Sequence, residues 1–375
     1  MKPIALYIHV PFCASKCAYC DFASWPHRED CWQRYFEALW EEAAGYADAL
    51  AGCEAATVFF GGGTPSLVPE ALITETLGRL RDCIPFAPGA EITLEANPGT
   101  LSAEKLGAYR RAGVNRLSLG AQSFDEELLR CLGRIHTPPR IAEAVAMARD
   151  AGFRNINLDL MYALPGQRMD QWLGTLQAAV ALKVEHISAY SLIVEPGTPM
   201  AARVASSEVV LPSEDTVNGM QRRAVAILSE AGYDRYEISN FARPGYACRH
   251  NLTYWERGEY LGLGCAAHSL FQGRRFHNGE TLDGYLAGER QLEVQPLTRR
   301  DAMEETLMLA TRTVRGLDLE KWRADFGTPF VRGREAALER LAAAGLIVME
   351  GGFVRLTLRG MELHNAIVLE LMEEP

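Results

Sequence analysis

Residues 7–22, YIHVPFCASKCAYCDF, decide how this chain is read. Cys13, Cys17 and Cys20 stand in the spacing C-x3-C-x2-C on one short loop. The loop follows an apolar run, residues 4–10, that reads as a strand. Three thiolates on so short a loop can converge on one centre, and soft thiolates favour zinc or an iron–sulfur cluster. A structural zinc site usually wants four ligands arranged as two pairs, and no fourth Cys or His follows at that spacing. Three thiolates on a four-iron cluster leave one iron open, and an open metal position is where a substrate can bind.

Outward from this loop, strand-like and helix-like stretches alternate. Strands are expected at 4–10, 56–60, 91–96, 116–119, 155–160 and 186–193. Helices are expected at 28–44, 69–83, 102–112, 125–132, 138–151 and 169–182. Alternation of this kind implies parallel βα units with right-handed crossovers, and six units make a partial barrel. In such a barrel the chemistry sits at the C-terminal ends of the strands.

Beyond Pro196 the pattern changes. A helix is expected at 213–231 and a strand at 233–238, followed by the segment HNLTYW (250–255) and a Gly-rich run, YLGLGCAAHS (260–269). Three helices (299–313, 317–326, 334–344) and a hairpin turning at Gly351-Gly352 then resemble a winged helix. The expected fold is α/β: a partial (βα)6 barrel over 1–205, a barrel extension over 206–295, and a small helical, winged-helix-like domain over 296–375. The acidic balance and the terminus MEEP favour packing over DNA binding for this last part.

The net charge of −10 argues against a nucleic-acid partner, which would need a basic surface. Hydrophobic residues make up 48% and charged residues 23%, enough for a core and against disorder. With no apolar run long enough to span a bilayer and no signal-peptide layout at MKPIALYIHV, a cytoplasmic location is expected. The other six cysteines, Cys31, Cys53, Cys83, Cys131, Cys248 and Cys265, are scattered and read as small buried hydrophobes.

Several polar residues fall where barrel chemistry is expected. GGGTP (61–65) follows the second strand, and its glycines allow close backbone approach and anion-binding N–H groups. Glu95 ends the third strand, Gln122 follows the fourth, Arg134 lies further along, and Asp159 is in the fifth. A carboxylate at a barrel mouth can accept hydrogen bonds from an ammonium or from ribose hydroxyls, and an Arg can pair with a carboxylate.

The cysteine spacing, with Tyr19 just before the third Cys, resembles the signature of the radical S-adenosylmethionine (SAM) family. The flanking HVPFC and CDF are similar to its HemN-like branch, which contains oxygen-independent coproporphyrinogen dehydrogenases and haem chaperones. The resemblance implies that Cys13, Cys17 and Cys20 ligate a 4Fe-4S cluster. The amino and carboxylate groups of SAM then chelate the fourth iron, and an electron from the cluster splits SAM into methionine and a 5′-deoxyadenosyl radical. It further implies a SAM site made by Tyr7, Tyr19, Gly62, Gly63, Thr64, Glu95, Gln122, Arg134 and Asp159, and an electron donor as partner.

Two features separate the members of the branch. The dehydrogenases carry a further Cys two residues after the third, where this chain has Phe22. HNLTYW resembles the HN-x-x-YW motif of the haem chaperones. An imidazole can ligate haem iron axially, and flat aromatics such as Tyr254 and Trp255 can cover a porphyrin face. The resemblance therefore implies haem as a ligand, His250 at the edge of the barrel as its iron ligand, and acceptor haemoproteins such as membrane respiratory enzymes as partners. Cys248 and His268 are rival ligands, while His9, His136 and His186 read as structural, with His9 beside the site. The alternative function within the branch is oxidative decarboxylation of coproporphyrinogen III.

Overall fold

The computed structural model describes residues 1–372. Its centre is six parallel strands: β1 (Lys2–Val10), β2 (Cys53–Gly62), β3 (Phe86–Ala96), β4 (Arg116–Gln122), β5 (Ile156–Tyr162) and β6 (His186–Ser191). Their apolar runs are buried almost without alternation, as strands covered on both faces require. Helices between them close the outer face. Trp32–Gly45, for example, buries Tyr35, Phe36, Leu39 and Trp40. The six strands expected from the sequence are all present, so the partial barrel is the observed architecture.

The sheet continues past both edges of the barrel. At one edge β7 (Tyr260–Leu263) pairs parallel with β1. Antiparallel strands β8 (His268–Phe271), β9 (Arg274–His277) and β10 (Leu292–Pro296) follow. At the other edge Asn240–Ala242 and Asp234–Arg235 add to β6, for twelve strands in all among the described residues. The strand expected at 233–238 is thus reduced to Asp234–Arg235, and the Gly-rich run forms strand and turn.

HNLTYW lies in the helix Arg249–Trp255. The start of that helix is capped by a carboxylate far away in sequence. Glu91 of β3 accepts hydrogen bonds from the Arg249 and His250 amides at 3.2 and 3.1 Å. A carboxylate favours a helix N-terminus because four amides there have no partner inside the helix.

A second hydrophobic core gathers Leu307, Trp322, Phe326, Phe330, Leu341 and Leu371. The helices Arg299–Ala310, Leu319–Phe326 and Glu335–Ala343 pack with a three-stranded sheet, Leu317–Asp318, Phe353–Leu356 and Ile347–Glu350. Gly351 and Gly352 turn the hairpin with φ of 60° and 82°, a conformation that L side chains disfavour. The winged-helix-like arrangement is therefore present, and the helices Leu358–Glu362 and His364–Met372 extend it. Of the terminus MEEP, residues 373–375 lie outside the described residues. Glu305 ties this part to the barrel extension, accepting from Arg257 at 3.0 Å and Arg275 at 2.6 Å.

The start of the cysteine loop is held by backbone hydrogen bonds. Gly63 donates to the Val10 carbonyl at 2.9 Å, and Thr64 donates to the Phe12 carbonyl at 2.7 Å. A Cβ on Gly63 would lie 2.7 Å from both the Phe12 nitrogen and its oxygen, with no flexible atom able to give way. Gly63→Ala should fold, since the clash is local, but should displace the loop. We expect the variant to lose most of the iron that the parent retains after anaerobic reconstitution. Parent-like iron content on gel filtration would show that the loop tolerates the added methyl.

Candidate cofactor site

Two cavities open beside the cysteine loop. The first, of about 390 Å³, lies at the C-terminal ends of the barrel strands. Cys13, Cys17 and Cys20 line it together with Tyr19, Gly62, Gly63, Thr64, Glu95, Gln122, Arg134 and Asp159. Eleven of the thirteen residues singled out in the sequence therefore meet in one place. The other two, Tyr7 and His250, do not line this cavity.

The side chains around it are held by specific contacts. Asp159 accepts hydrogen bonds from Ser118 Oγ at 3.0 Å and Asn157 Nδ2 at 2.8 Å. Arg134 donates to the Gly120 carbonyl at 2.6 Å and approaches Cys17 Sγ at 3.4 Å. Its Nε is buried with no partner among the described residues, so it is free to bind an anionic group in the cavity. Gln122 takes a left-handed φ of 63° at an irregularity in the β4–β5 register, which re-aims the chain at the cavity wall.

Burial sets the electrostatics. It raises the Glu95 carboxyl to about 8, helped by the like charge of Asp159. Burial also raises Asp159, against the hydrogen bonds from Asn157 and Ser118 that favour its ionised form. The Cys13 and Cys20 thiols are pushed up by burial as well, with Thr64 and the Phe22 backbone opposing.

The donor set fits an iron–sulfur cluster. All nine cysteines are free, and three face one cavity. Among the described residues no three His, Cys, Asp or Glu side chains crowd closely enough to hold a single metal ion. A cluster bound through one thiolate per iron asks for sulfurs spread around it instead. Beside it the cavity offers two carboxyls and an unpaired guanidinium N–H, suited to a ligand bearing ammonium, hydroxyl and carboxylate groups.

The second cavity, of about 770 Å³, lies on the other side of the segment 21–24. Tyr7, His9, Trp25, Tyr254, Tyr260 and His268 are among its walls, and Phe22 and Ser24 line both cavities. Tyr7 is bonded with His9 Nδ1 at 3.0 Å, and His9 Nε2 with the Ala23 carbonyl at 2.8 Å.

His250 is not exposed at the edge of the barrel as its motif suggested. It is 1% exposed and stacked on Phe59, its Nδ1 bonded with Thr57 Oγ1 and its Nε2 with the Tyr254 hydroxyl, both at 2.8 Å. Burial lowers its pKa to about 3, so it is a neutral ring with both nitrogens engaged. Trp255 lies under Arg312 of the C-terminal part, whereas Tyr254 does reach the second cavity. Cys248 is wholly buried against Glu91, and of the scattered cysteines only Cys83 and Cys131 are partly exposed.

Sequence reasoning passed over Asn97, Ser118, Met161 and Tyr190, which also line the first cavity. Met161 and Tyr190 stand near the ends of β5 and β6, where the strand-end rule would have found them.

Residues 7–179 match the Radical SAM superfamily, and residues 297–363 match the HemN C-terminal domain. The solved structure of coproporphyrinogen III oxidase (HemN) from Escherichia coli, a radical SAM enzyme, aligns with a TM-score of 0.86. The match covers 99% of this chain and 90% of that one at 25% identity. Fold and site thus define a radical SAM protein with a HemN-type C-terminal domain. Three relatives named heme chaperone HemW narrow this further. The Escherichia coli protein is 44% identical over 72% of this chain and 70% of its own length. The Lactococcus lactis protein is 34% identical over 98% and 96%, and the Mycobacterium tuberculosis protein 38% over 99% and 95%. The chain belongs to the HemW family.

The Glu95 shift has a sign that can be measured. Its proton is held more tightly in the folded chain (about 8) than in an unfolded one, about 4.3. Glu95 therefore opposes folding increasingly as pH rises between those values. Glu95→Gln in the cluster-free protein should melt like the parent near pH 4 and above it at pH 8. Equal melting temperatures across that range would show that Glu95 titrates normally.

Proposed function

We propose that this chain binds haem and delivers it to haemoproteins, with a 4Fe-4S cluster and SAM held at the barrel mouth. The family supports the cluster and SAM, and the relatives' name supports haem. The observation that carries the site assignment is the meeting of Cys13, Cys17 and Cys20 with Glu95, Gln122, Arg134 and Asp159 in one cavity.

In this reading the three cysteines hold the cluster, which supplies an open iron and one electron for SAM. Thr64, 3.7 Å from Cys13, and Arg134, 3.4 Å from Cys17, temper the charge on the sulfurs. Arg134 also pairs with the SAM carboxylate through its free Nε. Gly62, Gly63 and Thr64 present backbone near the amino end of the ligand. Glu95 and Asp159 accept from its ammonium and ribose hydroxyls, with Gln122 and Tyr19 closing the walls. Tyr7 supports Glu95 from behind: a Cβ on Gly61 would meet both side chains at once. No helix among the described residues is long and apolar enough to cross a membrane, so acceptors in a membrane would be reached by contact with their exposed parts.

Decarboxylation of coproporphyrinogen III is the second reading, favoured by the close structural match to HemN. Against it stands Phe22, 64% exposed at the position where that enzyme's pattern has its extra Cys. The chain should therefore fail to restore anaerobic growth to a strain lacking the dehydrogenase, and complementation would reverse the order of the two readings. Replacing Cys13, Cys17 and Cys20 together by Ala should abolish iron uptake on reconstitution. Retention of about four irons per chain by that variant would refute the cluster assignment.

A further inference from the structure

We infer that haem seats in the second cavity with His268 as its iron ligand. This rests on the haem-binding reading above and assigns its place. The cavity holds about 770 Å³, within the ~300–1,000 Å³ range of small-molecule sites. Aromatic side chains dominate its walls: Tyr7, Trp25, Tyr254, Tyr260 and, at the rim, Phe22. Flat rings of this kind match the faces of a porphyrin. Asp21, Phe22, His268 and Glu280 are all exposed, so the cavity opens to solvent, as a site that must release its ligand requires.

Two histidines line this cavity, His9 and His268, and their ring nitrogens differ in what they bind. His9 has both engaged, by Tyr7 and Ala23, and His250 has both engaged, by Thr57 and Tyr254. His186 lies buried between Asn157 and Tyr236, and His364 between Asn365 and Thr311. Among the described residues His268 is the one cavity-lining histidine with neither nitrogen hydrogen-bonded. Its ring stacks on His277 across the β8–β9 pair, centroids 5.2 Å apart at 28°. His277 is itself held, with Nδ1 2.9 Å from the Asn278 carbonyl and Nε2 3.7 Å from Glu293. Desolvation lowers the His268 pKa, with His277 adding to it and Glu280 opposing, which keeps a lone pair available on the imidazole.

The turn that presents His268 is anchored beneath. Gly264 donates its amide to Glu42 at 2.9 Å, and Tyr285 and Asn278 donate to the same carboxyl at 2.6 Å each. Ala266 holds a left-handed φ of 55° in that turn. The ligand thus rises from a rigid support while its own ring stays free. Lys16 is the one cation among the lining residues, beside the carboxylates of Asp21 and Glu280, so it offers a partner for one propionate.

The test titrates ferric haem, and separately iron-free protoporphyrin IX, into the full chain and into His268→Ala and His250→Ala. Cluster content and melting temperature serve as checks on folding. For His268→Ala we expect haem affinity to fall at least about tenfold, with a shifted Soret band that added imidazole restores. Its affinity for iron-free protoporphyrin IX should be unchanged, because the walls are intact. A His268→Ala variant with the parent's haem spectrum and affinity overturns the inference, and so does loss of haem ligation in His250→Ala alone. Equal weakening toward haem and iron-free porphyrin would make His268 a wall residue and overturn its role as ligand. A parent that binds no haem would instead remove the chaperone reading itself.

Discussion

The constraint on which the site depends is the contact between two backbones. The end of β1 and the start of the cysteine loop run against the glycines that follow β2, with Gly63 and Thr64 bonded to Val10 and Phe12. Nothing larger than hydrogen fits on Gly63. Because these bonds belong to the main chain, the loop inherits the rigidity of the sheet, although it has little regular structure of its own. Gly62 shows the same economy of space: its φ of 102° puts it in a region open to glycine, and a Cβ there would enter the His9 ring. His9, read as a structural residue, helps to shape that junction.

The interior of the barrel is unusually polar beneath this platform. Arg116, fully buried, lies among Glu91, Asp159, Cys248 and Tyr236. Asn157 links Asp159 to His186, and His186 to Tyr236 through its other nitrogen. Buried polar groups hold a structure together only when nearly all find partners. Here most do, and the chain of bonds runs from the cavity wall to the helix that carries HNLTYW. That helix is therefore bonded to the neighbouring strands β2 and β3 through Thr57 and Glu91, and its motif has a structural part to play whatever ligand the protein carries.

Much of this was legible in the sequence and the remainder was not, for identifiable reasons. The six barrel strands are apolar runs separated by amphipathic helices, so local pattern and global fold agree. The cavity residues stand at or after strand ends, and the resemblance to the radical SAM family picked them out among the polar residues there. The strands β7 and β8 escaped because YLGLGCAAHS has the composition of a loop. It becomes strand because the free edge of β1 offers a ladder, a long-range fact. The burial of His250 escaped for the same reason. The carboxylate that draws its helix inward, Glu91, is 159 residues away in the chain. A motif gives residue types and spacing, while exposure depends on partners that the motif does not contain.

The segment between the two cavities is four residues long, and Phe22 and Ser24 face both sides. It is pinned at few points: Lys16 to the Phe22 carbonyl, His9 to the Ala23 carbonyl, and Ser24 to Phe22. A thin wall of this kind cannot be ordered from one side without being ordered for the other. Whatever free energy a molecule in one chamber spends or recovers in settling the wall is shared with the neighbouring chamber, and linkage makes the effect reciprocal. These three contacts are where a molecule in one chamber would be felt in the other.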